Sequence, residues 1–164
     1  MRPGTLSSAQ HSARRSKQQW HLWSQVEALH CIALVRRRDV PSLRALRPAH
    51  LPLLRSILGR GSIALKKRFG VDLQELRVYL HYLPSYFHLH VHFVHTKHDA
   101  SFGFAAGKAH ALQDVIANIE LMGDFYEHAT LAVAVGEHDK LLPKLLAVQE
   151  AELEGFAEAG RAGS

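Results

Sequence analysis

The sequence predicts an α+β fold in which an antiparallel sheet is flanked by helices. Residues 75–82 and 87–95 alternate apolar and polar side chains, which is the period-2 pattern of a half-buried strand. Residues 49–69 and the segment 112–119 instead repeat apolar side chains at the spacing of one helix face. Strands and helices mix without a regular βαβ alternation, and this order favours the α+β class.

The individual elements follow from periodicity and from start and stop signals. An apolar, β-compatible run predicts a first strand at 26–35, and Gly70 is a plausible end for the helix at 49–69. Pro84 suits a turn between the two alternating strands. After them the sequence predicts a loop at 97–108, an amphipathic helix around 112–119, a strand at 130–135 and a short last helix capped by Asp139.

Length and composition fit one globular domain with short tails. The chain has 164 residues, of which 47% are hydrophobic and 21% charged. No apolar run approaches the ~20 residues that a membrane helix needs, so no membrane association is expected. The single cysteine, Cys31, cannot form an internal disulfide, which favours a reducing compartment. We predict a basic, disordered tail at 1–24, a domain at 25–152 and a flexible tail at 153–164.

The net charge of +5 is unevenly distributed along the chain. Residues 1–60 hold eleven Lys and Arg and two acids, whereas residues 61–164 hold nine and thirteen. This asymmetry suggests an anionic ligand or partner near the first half, with a solvated basic end as the alternative. The Arg- and Ser-rich, acid-free composition of residues 1–19 is also that of a mitochondrial targeting segment.

Histidine is the unusual residue type, because six of the thirteen histidines fall between His81 and His98. Alternate residues of a strand share a face, so His88, His90 and His92 are expected to line one face of the second hairpin strand. The opposite face is apolar. It comprises Leu89, Val91 and Phe93.

Pairing the apolar residues of the two strands fixes a register for the hairpin. We expect Leu80 opposite Leu89, Val78 opposite Val91 and Leu76 opposite Phe93. The same register sets three further pairs on the polar face, namely His81 with His88, Tyr79 with His90 and Arg77 with His92.

Three interpretations of this polar face stay open at this point. It is a solvated sheet surface, a zinc site, or a site for phosphate chemistry. Three imidazoles suffice to bind zinc, but residues two apart on a flat strand need a curved geometry to share one ion. For phosphate chemistry, one neutral imidazole attacks while its neighbours donate protons or hydrogen bonds, and an arginine binds phosphate.

The residues also resemble a known family. The segment His88-Leu-His-Val-His-Phe-Val94 matches the His-x-His-x-His-x-x signature of the histidine-triad (HIT) superfamily of nucleotide hydrolases and transferases. Together with Tyr79-Leu-His-Tyr-Leu-Pro-Ser85, it is similar to the C-terminal domain of scavenger mRNA-decapping enzymes. The resemblance covers roughly residues 25–150 and implies a HIT-like fold.

The resemblance implies a reaction and roles for individual residues. The family cleaves the pyrophosphate linkage of the 7-methylguanosine cap dinucleotide or of short capped RNA, and releases 7-methylguanosine monophosphate through a covalent nucleotidyl-histidine. His90 would be the nucleophile, while His88 and His92 would hold it and bind phosphate oxygens. His81 and Ser85 match positions near the phosphate bridge.

Tyr79 and Arg77 join the expected phosphate-binding residues through the register alone. The resemblance implies no metal and no cofactor, a capped dinucleotide or short capped oligonucleotide as substrate, a homodimer, and a cytoplasmic or nuclear location. Two alternatives stay open. One is a broader HIT hydrolase of dinucleoside polyphosphates or nucleotide phosphoramidates, and the other is a non-catalytic nucleotide- or RNA-binding module.

Overall fold

Four antiparallel strands form one sheet in the order β1-β3-β2-β4 in the computed structural model, which describes residues 26–98 and 107–162. The chain divides after Ala132 into two compact units. The strands are β1 (His30–Leu34), β2 (Leu76–His81), β3 (His90–His95) and β4 (Ala109–Ala111). The helices are α1 (Leu51–Phe69), α2 (Leu112–Leu121), α3 (Phe125–His128) and α4 (Leu142–Ala162). Three short 3-10 turns lie at Leu43–Ala45, Pro48–His50 and Leu73–Glu75.

This arrangement confirms the predicted α+β class and the HIT-like sheet with flanking helices. None of the described helices is both long and apolar enough to span a bilayer. The predicted tail at 1–24 and most of the predicted loop at 97–108 lie outside the described residues. The three domain boundaries stay predictions.

Helix α1 covers the apolar face of the sheet. Leu54 of α1 is fully buried. The ring of Phe93 from β3 lies so close to Gly61 of α1 that a Cβ added to this glycine would be 2.5 Å from the ring. The helix ends where the sequence predicted. Gly70 adopts a left-handed φ of 76°, and its N–H donates to Lys66 O at 2.9 Å, which is the usual role of a glycine after a helix.

Arg44 connects the segment before α1 to the end of α3 by hydrogen bonds. Its guanidinium donates to Tyr126 O at 2.9 Å, to Ala129 O at 2.6 Å and to the Tyr82 hydroxyl at 3.2 Å. Tyr82 directly follows β2. One half-buried cation therefore fixes the start of the linker that leads to the histidine strand.

The hairpin register differs from the predicted one by two residues. The structure pairs Val78 with Phe93, Tyr79 with His92 and Arg77 with Val94. A slip of two preserves which side chains share a face, so the apolar pattern could not distinguish the two registers. All six predicted pairs were therefore wrong, including those of Tyr79 with His90 and Arg77 with His92.

The linker explains the different register. Leu89 is buried and does not pair with β2. Its N–H donates to Val40 O at 3.2 Å, and its carbonyl accepts from Val35 N at 3.1 Å. The hairpin is therefore joined by residues 82–89 rather than by a four-residue turn, and His88 lies in this linker instead of in the strand.

Two predictions for the second half of the chain need correction. Residues 130–135 alternate like a strand but form none, and a strand needs a neighbour for its backbone hydrogen bonds. The last helix is longer than predicted, since α4 extends to Ala162 and includes much of the segment assigned to a tail. The Asp139 carboxylate accepts from Leu141 N at 2.9 Å, one residue before the helix begins at Leu142, so its role as the cap stays a prediction.

Candidate active site

The histidine face of β3 is flanked by residues from both neighbouring strands. His92 lies opposite Tyr79 of β2 and opposite Ile32 of β1. The Tyr79 ring is stacked on the His92 ring, with 5.0 Å between centroids and 7° between planes. The His81 ring lies 4.4 Å from the His92 ring, centroid to centroid. Residues from adjacent strands thus close around His92.

His90 is oriented by the backbone of the preceding linker. Its Nδ1 lies 2.8 Å from His88 O. A carbonyl can only accept, so Nδ1 carries the proton and donates it. In the neutral ring the lone pair is then on Nε2. This is the tautomer that a histidine nucleophile needs.

His88 is oriented in the same way but toward β1. Its Nε2 lies 2.5 Å from Val35 O, so this nitrogen is the donor. The bond joins the linker to the end of β1 and holds the carbonyl to which His90 donates. The supporting role that the resemblance implied for His88 stays a prediction.

His92 is the buried member of the set, with 6% of its surface exposed. Burial, together with the nearby His81, His90 and His30, lowers the pKa of His92 to about 3. The ring is therefore neutral near pH 7 and carries one proton. Its Nδ1 lies 2.9 Å from His30 Nε2, whereas its Nε2 is buried without a hydrogen-bond partner among the described residues.

Three rings form a compact nitrogen cluster. One ring nitrogen from each of His81, His90 and His92 lies within 4.8 Å of the other two. His90 and His92 lie two residues apart on β3, yet their ring nitrogens come within this distance, so the geometric objection to a metal site does not exclude this set. Nitrogens bound to one tetrahedral zinc ion lie about 3.4 Å apart, so the three rings would have to move closer together to hold a cation. The N–H groups of the same cluster could instead donate to the oxygens of a bound phosphate.

The remaining expected residues divide between the site and its surroundings. Tyr79 is buried against the cluster, and burial raises the pKa of its hydroxyl. Arg77 is exposed, and its cross-strand neighbour is Val94, two residue pairs beyond His92. Ser85 is exposed in the linker. The observed register therefore places Tyr79, but not Arg77, opposite a triad residue.

Comparison with known proteins identifies the family. A family model described as scavenger mRNA decapping enzyme C-term binding matches residues 21–107. The chain belongs to this family. Among curated proteins, m7GpppX diphosphatase from Rattus norvegicus is 47% identical over 126 residues, which are 77% of this chain and 37% of that protein.

Relatives with lower identity match over a similar length of this chain. The Ascaris suum m7GpppX diphosphatase is 44% identical over 121 residues, and the Schizosaccharomyces pombe protein of that name is 38% identical over 120 residues. Each alignment includes 73% of this chain and 40% of the relative. The chain thus spans about two fifths of the length of the curated relatives it matches.

Sequence reasoning missed one residue that contacts the triad. His30 begins β1, an edge strand, and its ring reaches the buried His92. His30 falls within the strand predicted at 26–35. Nothing in the sequence indicated that this strand pairs with β3, so its histidine could not be assigned to the cluster.

Proposed function

We propose that this chain hydrolyses the 5′–5′ polyphosphate linkage of m7GpppX, as the name of its relatives describes for them. The observation that carries this proposal is the bond from His90 Nδ1 to His88 O, which leaves the Nε2 lone pair free to attack phosphorus. The histidine-triad segment lies inside the part of the chain that matches the decapping family.

The proposed reaction has two displacement steps at one phosphorus atom. His90 Nε2 attacks the phosphorus next to 7-methylguanosine. A P–N bond forms, and the P–O bond to the adjacent phosphate breaks, so that a nucleoside or oligonucleotide diphosphate leaves. Water then attacks the same phosphorus, the P–N bond breaks, and 7-methylguanosine monophosphate is released. His92, His81 and Tyr79 would bind phosphate oxygens, with Ser85 of the linker near the phosphate bridge.

The experiment tests each of three proteins on each of three substrates. Wild-type chain, His90→Ala and the exposed-histidine control His128→Ala are each incubated with m7GpppG, unmethylated GpppG and diadenosine tetraphosphate. We expect wild type and the control to release 7-methylguanosine monophosphate from m7GpppG and His90→Ala to release none. Equal turnover of all three substrates would instead indicate a broader HIT hydrolase. Micromolar binding without turnover would indicate a nucleotide-binding module.

The covalent step has its own measurement. Wild-type protein quenched in acid-free denaturant during turnover should gain the mass of one 7-methylguanylyl group, and His90→Ala should not. Turnover by His90→Ala at the wild-type rate would refute the mechanism. The homodimer and the cytoplasmic or nuclear location also stay proposals, which light scattering of the purified chain and imaging of the tagged protein test directly.

A further inference from the structure

A side chain from β1, His30, is hydrogen-bonded to a triad ring. Its Nε2 is 2.9 Å from His92 Nδ1, and the two ring centroids are 5.2 Å apart. The other neighbour of the His30 ring is His98, in edge contact at 6.0 Å. His30 itself is exposed on an edge strand, so its ring contributes little to the core.

The single proton on His92 can occupy either of two nitrogens. If His30 donates from Nε2, then His92 Nδ1 accepts and the proton lies on His92 Nε2. If His92 donates from Nδ1 instead, its Nε2 is a bare acceptor. Because His92 stays neutral near pH 7, it cannot offer N–H groups on both sides at once. The residue at position 30 therefore determines what Nε2 presents.

Phosphate chemistry distinguishes the two arrangements. Phosphate oxygens are acceptors, so a bare Nε2 lone pair would repel them, whereas an Nε2–H group would donate to them. The attacking nitrogen of His90 must in contrast be bare. The two rings thus need opposite tautomers. His90 needs its proton on Nδ1, and the His88 carbonyl fixes it there. His92 needs its proton on Nε2, which requires a donor facing its Nδ1.

We infer that His30 is a positioning residue, which donates to His92 Nδ1 and so holds His92 in the Nε2–H tautomer that binds a phosphate oxygen of the substrate. This inference rests on the proposed function for its substrate, but the contact and the tautomer belong to the free protein. Nothing in the triad signature itself specifies such a residue, because the bond comes from a different strand.

Two substitutions at position 30 separate the hydrogen bond from the volume of the ring. His30→Phe keeps an aromatic ring and removes the donor. His30→Gln places an amide nitrogen close to the position of Nε2 and retains a donor. His128→Phe serves as the control, because it makes the same chemical change on the exposed helix α3. Thermal unfolding of each variant verifies that the fold survives.

The spectroscopic test reads the tautomer of His92 from the 15N shifts of its two ring nitrogens in the free protein. We expect wild type and His30→Gln to show a bare Nδ1 and a protonated Nε2, and His30→Phe to lose this preference. A His92 proton on Nδ1 in wild type, or an unchanged tautomer in His30→Phe, would overturn the inference. This result does not depend on whether the chain hydrolyses a cap.

The kinetic test uses m7GpppG. We expect His30→Phe to lower kcat about 3- to 10-fold, the rate equivalent of one net hydrogen bond, while His30→Gln and His128→Phe stay within about 2-fold of wild type. Wild-type kcat in His30→Phe would overturn the inference and leave the proposed function intact. Absence of turnover in wild type would refute the proposed function, and the 15N shifts would still decide the role of His30.

Discussion

Two glycines of helix α1 provide a matched test of how the helix packs on the histidine-bearing sheet. Gly59 and Gly61 are two residues apart, so their replacements face different directions. A Cβ added at Gly59 meets nothing within 4 Å. A Cβ added at Gly61 would lie 2.5 Å from Phe93 Cζ and 2.9 Å from Cε1. Phe93 is 2% exposed and is the next residue after His92.

The expected free energies follow from these distances. Alanine in place of glycine inside a helix raises the free energy of unfolding by about 1 kcal/mol, so Gly59→Ala should stabilise the protein by up to that amount. Gly61→Ala has the same gain but must displace a buried ring, and overpacking typically costs about 1–3 kcal/mol. The added Cβ would be about 1 Å closer to the ring than normal carbon–carbon separation, so we expect the upper end of this overpacking cost. The free energy of unfolding of Gly61→Ala should then fall by about 2 kcal/mol net.

The assay is urea unfolding followed by circular dichroism, with the free energy of unfolding extrapolated to zero urea. The two alanine variants should differ by about 3 kcal/mol, in opposite directions from wild type. Placing Gly61→Ala in a Phe93→Leu background removes the far end of the ring. There the same alanine should become neutral or slightly stabilising. Equal stabilisation by both alanines in the wild-type background would refute the described contact between α1 and β3.

Two further predictions concern stability. The pKa of His92 is lowered to about 3 in the folded chain, so the unfolded chain binds more protons between pH 6.5 and 3. The free energy of unfolding should therefore fall with falling pH in that window, by at most about 1.4 kcal/mol per unit from this group, and His92→Gln should lessen the slope in a urea series. Arg44→Met removes donors from the carbonyls of Tyr126 and Ala129 and should cost about 2–4 kcal/mol by the same assay. Arg55→Met, which breaks only an exposed ion pair, should cost under about 1 kcal/mol, and equal losses would contradict the role given to Arg44.

The faces of the hairpin could be predicted from the sequence, whereas its register could not. Period-2 alternation assigns His90 and His92 to one side and Val91 and Phe93 to the other, and the structure agrees. A slip of two residues leaves these assignments unchanged. The linker decided the register, because Leu89 bonds to the backbone of Val35 and Val40.

Long-range partners account for the other differences. The run at 130–135 has the alternation of a strand, but alternation cannot tell whether a neighbouring strand exists. The three-residue strand β4 has too short a pattern to predict, and its identity comes from pairing with Leu80 and His81 of β2. In both cases the missing information was the identity of the partner and not the propensity of the segment.

The hydrogen bonds of the three triad rings show where this site is fixed by the fold and where it depends on one side chain. His90 and His88 donate to the carbonyls of His88 and Val35, and a carbonyl accepts whatever side chain its residue carries. Their tautomers are therefore set by the path of the backbone, and most substitutions nearby would leave them unchanged. His92 has a side-chain partner, His30, which could act either as donor or as acceptor. The protonation pattern of the histidine face is therefore most sensitive to substitution at position 30, outside the triad signature.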